Sequence, residues 1–425
     1  MIIHVVQNGE TIEMIANKYG VSADRLILEN DINNPDNLVV GETIVVLIPE
    51  ITYTIQQGDT LGSIADRYGI TALELLRNNP YLSDRDYIYP GEIIVIQYEG
   101  EKLMAIETNS YAYPFINRNI LIRTLPFLTY LTVIGYTVTA DGEINDIDDT
   151  EIIRTAKAYD VVPIMLLEAF SANMEEEIDV IQSILSSEEK QNQLISRLLR
   201  ILDTKGYGGV NINTPYIRPE DRILYGNFFA KLYESISMMG YKVYNTLTIR
   251  VFQLLSGTIF TNIDFTRLSQ NADGIILITY EFGYSEGIPL GTIALDTYKR
   301  FFENVMEYLP PDKTFLGVSV FGYLWEYPYV PGVSRGMLVN YNSAIEIAAA
   351  NNSEIKFDEI NNIAYFQYIS ANEYMVRFWD ARSIDNFVKF IPDYGLHGIS
   401  VWNSMSWFPQ IWLIINSQFI IEKVL

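Results

Sequence analysis

Across residues 103–425 of this 425-residue chain, eight apolar strand-like runs alternate with helical stretches. The runs are Met104–Ala112, Leu128–Val138, Val162–Phe170, Gly209–Tyr216, Lys242–Ile249, Gly274–Phe282, Thr314–Tyr323 and Gly398–Asn403. They are rich in Val, Ile, Leu and Tyr and mostly lack polar–apolar alternation, so both strand faces should be buried. Helical stretches fall between them, at Asp149–Ala158, Glu188–Lys205, Pro219–Met239, Phe265–Gln270, Thr297–Tyr308 and Ile384–Tyr394. Eight strand–helix pairs predict an α/β fold, a (β/α)8 TIM barrel, with its site at the C-terminal strand ends. Between the seventh and eighth strands, Ala364–Tyr368 and Tyr374–Trp379 read as extra strands, so a small α+β insertion is expected at about 340–382.

The first hundred residues repeat. His4-Val5-Val6-Gln7-Asn8-Gly9-Glu10-Thr11-Ile12 matches Tyr53-Thr54-Ile55-Gln56-Gln57-Gly58-Asp59-Thr60-Leu61. Ile15–Val21 matches Ile64–Ile70, and Gly41-Glu42 matches Gly91-Glu92. Thr11 and Thr60 should cap helices that stop at Gly20 and Gly69. A second helix (Ala23–Asn30, Ala72–Asn79) and a closing strand (Thr43–Ile48, Ile93–Gln97) complete two βααβ units, 1–49 and 50–98. The polar joint Tyr98–Lys102 leads into the barrel.

Composition removes whole classes of function. Lys and Arg total 29 against 53 Asp and Glu, a net charge of −24. Neither nucleic acid nor an anionic membrane surface is an expected partner, because both need clustered cations. Cysteine is absent and His4 and His397 are the only histidines, so no metal centre or other cofactor is expected, nor a histidine-based triad. No apolar run reaches membrane-spanning length. Met1–Val6 reads as a strand rather than a secretion signal, so synthesis in the cytoplasm is expected.

The repeats resemble the LysM domain through Gly-Glu-Thr-Ile and Gly-Asp-Thr-Leu, the Ile-Ala-x-x-Tyr-Gly runs, Asn30, Asn79-Pro80 and Pro90-Gly91-Glu92. LysM domains bind N-acetylglucosamine-containing glycans such as peptidoglycan and chitin. The resemblance implies a groove at Gly9, Glu10, Thr11 and Ile12 with Asn30, Asp31 and Ile32. In the second unit it implies Gly58, Asp59, Thr60 and Leu61 with Asn79, Pro80, Tyr81 and Leu82. Two tandem sites would add avidity on a polymer. The plainer reading makes these Gly and Thr residues turns and caps only, which holds for part of each motif.

The barrel strand ends carry Asn109–Pro114, Gly208–Ile217, Ile278–Tyr284, Phe321-Gly322-Tyr323, Asp380–Ser383 and Gly398–Trp402. With the LysM units, these resemble the spore-cortex glycosidases of glycoside hydrolase family 18, which act in spore germination. Members use substrate-assisted chemistry. A Glu ending the fourth strand protonates the glycosidic oxygen, and an Asp two positions earlier, on the same strand face, orients the substrate acetamido group. The pattern Asp-Gly-x-x-x-Asp-x-Glu falls here on Gly208, Gly209, Val210, Asn211, Ile212, Asn213, Thr214 and Pro215. The orienting Asp is Asn213 and the acid is Pro215, which has no proton to give. Loss of a positioned acid costs about 10²–10⁴ in rate.

The resemblance therefore implies a glycan-binding spore-envelope protein whose barrel is a scaffold or lectin. Its partners would be peptidoglycan or cortex glycan, itself or other coat proteins, and its place the spore cortex, coat or surface after release from the mother cell. Tyr111, Tyr280, Glu281, Tyr323 and Trp402 would line the cleft with Glu168. Many of the chain's 30 Tyr, 20 Phe and 5 Trp would serve as core instead. One alternative is an active N-acetylglucosaminidase with Glu168 as a relocated acid. Another is a self-assembling coat protein, for which the mean hydropathy of +0.09 suggests exposed apolar patches.

Overall fold

The computed structural model describes residues 1–85, 87–169, 174–214, 217–248, 252–254, 257–259, 264–278, 295–330 and 333–425. Each N-terminal unit is two short helices against a two-stranded antiparallel sheet. Ile2–Val5 pairs with Thr43–Val46, and Pro49–Thr54 with Ile93–Tyr98. Local chemistry sets the helix ends. The Thr11 hydroxyl accepts from the Met14 amide (3.3 Å) and the Thr60 hydroxyl from that of Ser63 (3.0 Å). Gly20 and Gly69 both sit at φ 69°, closing their helices in the left-handed region that glycine enters without strain.

Eight parallel strands close into a barrel: Met104–Ala112, Tyr130–Thr137, Val162–Glu168, Gly209–Asn213, Lys242–Thr248, Gly274–Ile278, Thr314–Ser319 and Gly398–Trp402. The eighth pairs with the first (Gly398 with Glu107 through Val401 with Ser110). All eight start at or within two residues of the expected position, because strands buried on both faces announce themselves as apolar runs. Helices Arg118–Thr124, Met174–Leu185 and Pro409–Gln418 also pack around the barrel, and Phe419–Ile421 adds a ninth short strand beside Met104–Ile106.

The insertion starts earlier than the sequence suggests, at 321 rather than 340. The seventh strand ends at Ser319, and Phe321–Tyr327 belongs to a five-stranded antiparallel sheet with Met337–Asn340, Glu373–Phe378, Ile363–Ile369 and Lys356–Asp358. Val318, Val320 and Leu324 are all buried, so the apolar pattern runs through the join without a break. The join itself is marked only by the Ser319 hydroxyl accepting from the Phe321 amide (3.2 Å).

Both small units are docked on the barrel rather than tethered to it. Val39, Val45 and Leu47 of the first unit belong to the barrel's apolar core. The Thr43 hydroxyl donates to Gln410 (2.9 Å), the Tyr341 hydroxyl to the Thr43 carbonyl (3.2 Å), and the Ile355 amide to the Val40 carbonyl (2.9 Å). Arg77 of the second unit donates to the Pro126 carbonyl (3.1 Å). Arg123 of the barrel pairs with Asp84 (2.9 Å) and Asp31 (3.5 Å), one from each unit. The units also join each other: Tyr98 donates to Glu29 (2.7 Å) and accepts from Arg25 (2.9 Å).

Candidate glycan-binding site

At the barrel's C-terminal end the inward side chains form stacked polar layers, because strand residues two apart face the same way. In the lower layer, Asn109 donates to Ser400 (2.9 Å) and accepts from Thr132 (2.7 Å). Above it, Tyr111, Asn211 and Thr246 close a ring. Thr246 donates to the Asn211 carbonyl oxygen (2.8 Å), the Asn211 amide donates to the Tyr111 hydroxyl (3.3 Å), and that hydroxyl lies 3.1 Å from Thr246 Oγ1. All three are buried. They are satisfied by one another, as buried polar groups must be.

One layer higher, Asn213 donates to Glu168 Oε1 (2.9 Å). Glu168 ends the third strand and is half-buried. Burial pushes its carboxyl above the usual range. The Asn213 bond pulls the other way, and the nearby Glu177 charge adds a smaller push upward. Trp402 is half-buried, its ring 4.9 Å from that of Tyr111. At Gly208 an added Cβ would lie 2.3 Å from Val162 Cγ1, so a valine fills the space a side chain there would need.

Thus Tyr111, Asn211, Asn213, Glu168 and Trp402 lie at this one end of the barrel. Tyr323 does not end the seventh barrel strand. It lies on the insertion's Phe321–Tyr327 strand, half-buried and 5.4 Å from the Trp325 ring. Pro215, Tyr280 and Glu281 lie outside the described residues. Sequence reading missed Thr132 and Thr246, and it named Asn109 and Ser400 only within the strand-end motifs. Their signal was a polar residue inside an otherwise apolar strand.

In the LysM-like units the first loops are open: Gly9, Thr11, Gly58 and Thr60 are exposed, and Glu10, Asp59 and Leu61 half-buried. Glu10 is held by the Gln7 amide (2.8 Å) and His4 (2.9 Å), Asp59 by the Gln56 amide (2.7 Å) and the Tyr53 hydroxyl (2.7 Å). Backbone and side-chain donors hold both carboxyls below their usual range. Six expected contacts need correction, because the structure buries them. Ile12 is core of the first unit, and Asn30 and Asn79 are structural. Asn30 donates to the Leu26 (3.1 Å) and Val45 (2.9 Å) carbonyls and accepts from the Val45 amide (2.8 Å). Asn79 does the same with Leu75 and Val95. Each clamps the second helix to the closing strand with both amide hydrogens used, and each is buried out of a sugar's reach. Pro80, Tyr81 and Leu82 are buried as well, whereas Asp31 and Ile32 are half-buried.

The sequence profile described as glycosyl hydrolases family 18 matches residues 173–406, more than half of the chain. The chain belongs to that family. The LysM profile matches residues 4–47 and 53–97. Among curated relatives, the cortical fragment-lytic enzyme of Bacillus subtilis (strain 168) is 29% identical over 434 residues, covering 100% of this chain and 99% of the relative. That of Bacillus anthracis is 27% identical over 430 residues, with 99% of each covered. The solved Bacillus cereus spore cortex-lytic enzyme SleL superposes with a TM-score of 0.80 at 25% identity, covering 99% of this chain and 98% of that one. A chitinase from Chromobacterium violaceum shares the fold at a TM-score of 0.64 and 18% identity, over 74% of this chain and 98% of that one. This family 18 chain thus combines two LysM units with a TIM barrel, as its sequence led one to expect. No helix among the described residues is long and apolar enough to cross a membrane.

Proposed function

We propose that this chain binds N-acetylglucosamine-containing glycan of the spore cortex or envelope without cutting it, after deposition there from the mother cell. The observation that carries the reading is the fourth strand. Where the family pattern has a proton-donating Glu and an orienting Asp, this chain has Pro215 and Asn213, and Gly208 stands at the remaining Asp position. Asn213 can hydrogen-bond an acetamido group but carries no charge to stabilise a developing oxazolinium. An imino acid at 215 leaves the glycosidic oxygen without a donor from that strand. What remains suits retention of a sugar: a satisfied polar floor, the half-buried Trp402 ring backed by Tyr111, and LysM units whose relatives in name act on cortex fragments. The test is sedimentation of the full chain with cortex peptidoglycan, combined with an assay for released reducing ends. Binding without release is expected; release at the rate of a cortex-lytic relative contradicts the reading.

A specific observation favours a second reading, an N-acetylglucosaminidase with a relocated acid. Glu168 sits one hydrogen bond from Asn213, and burial raises its carboxyl toward the range a general acid needs. Reducing ends released by the wild type and abolished in Glu168→Gln would establish it.

A further inference from the structure

The two LysM units differ at the second wall of the groove. In the first unit the chain after the second helix stays at the surface: Asp31 and Ile32 are half-buried, Asn33 and Asn34 exposed. In the second unit the equivalent run turns through Pro80–Leu82 and sinks, with Asn79 0%, Leu82 2% and Tyr81 9% exposed. Its cover is the first unit, whose helix Ala23–Asn30 packs on this turn. The Tyr98–Glu29–Arg25 knot holds that contact shut. Arg85 lies over the Tyr81 ring at 5.3 Å, so a guanidinium occupies the face a sugar would stack on.

We propose that the pair holds one working glycan groove, in the first unit, and that the second unit is a spacer whose groove is closed by its neighbour. The inference rests on the glycan-binding reading above. The open wall at Asn33–Asn34 faces a chain of N-acetylglucosamine units; the second unit keeps an exposed first loop with no accessible partner wall. The tandem repeat then supplies rigidity, since Arg123 ties both units to the barrel, and the avidity of two equal sites does not arise within one chain.

Matched variants test this in the full chain. Thr11 and Thr60 are both exposed first-wall residues and both cap the helix that follows, so Thr11→Arg and Thr60→Arg remove the same cap and differ in the groove they block. Titration calorimetry with the N-acetylglucosamine hexamer reads the result. Thr60→Arg should bind as the wild type does, and Thr11→Arg should weaken about tenfold or more. Asn33→Arg, which removes no cap, should weaken binding with Thr11→Arg and guards against a folding defect. Equal loss in both Thr variants, loss in Thr60→Arg alone, or no loss in either overturns the inference. A wild-type chain that fails to bind the hexamer removes the glycan reading itself.

Discussion

Gly41 and Gly91 occupy the same place in the two repeats, and replacing each by alanine separates backbone strain from docking. Gly41 has φ +87° and Gly91 φ +93°, so an alanine at either pays the left-handed penalty of about 1–2 kcal/mol. Around Gly91 a new Cβ meets nothing within 4 Å. At Gly41 it would lie 1.8 Å from the Ile355 carbonyl oxygen, a backbone atom that no rotamer change can move. The first unit must then back away from the insertion. That breaks the Ile355 amide to Val40 carbonyl bond (2.9 Å) and loosens the Arg382 contact to the Gly41 carbonyl (3.4 Å). Overpacking plus one lost hydrogen bond amounts to about 2–3 kcal/mol beyond the shared strain. Hydrogen exchange reads this locally. The Ile355 amide should exchange roughly 30- to 150-fold faster in Gly41→Ala than in Gly91→Ala. Equal protection of Ile355 in the two variants would refute the docking described here.

Glu42 is buried in the same contact, accepting from the Val39 amide (3.1 Å), with Tyr341, Asp380 and Arg382 close by. Burial pushes its carboxyl up to about 7. Because the folded value lies above the unfolded one, the ionised form is disfavoured in the fold. Stability should fall as pH rises from about 4.5 through 7, by about 3 kcal/mol in all. Glu42→Gln should remove that slope and be the more stable protein at pH 8, with no advantage at pH 4; urea midpoints at both pH values check it. Asn30→Ala strands the Val45 amide and carbonyl, so it should cost about 2–4 kcal/mol in urea unfolding, without any glycan present. An unchanged midpoint with weakened glycan binding would return Asn30 to the groove.

Elements whose cause is local were legible in the sequence. Thr11, Gly20, Thr60 and Gly69 act through bonds to residues at most a few positions away, so the repeat read correctly down to its caps. All eight barrel strands stood out because burial on both faces leaves an unbroken apolar run. The seventh ran past its end because Val320 and Leu324, on the far side of the join, are as buried as Val318. Contacts made across units have no local signature. Nothing in Asn79-Pro80-Tyr81-Leu82 tells that helix Ala23–Asn30 will cover it, and nothing in Val40-Gly41 tells that Ile355 will press against it. Asn30 and Asn79 did leave a trace, since an asparagine recurs at the same helix end in both repeats. A carboxamide there is as useful for bridging to a strand as for touching a sugar, and the bond lengths decide for the strand.

The central claim turns on whether the purified wild-type chain cleaves β-linked N-acetylglucosamine polymers. Mass spectrometry of cortex fragments and of chitin oligomers after prolonged incubation answers it. The account predicts no products above a protein-free control for a chain with Asn213 and Pro215 where the family pattern has Asp and Glu. Steady accumulation of shortened oligomers in proportion to added protein would contradict it.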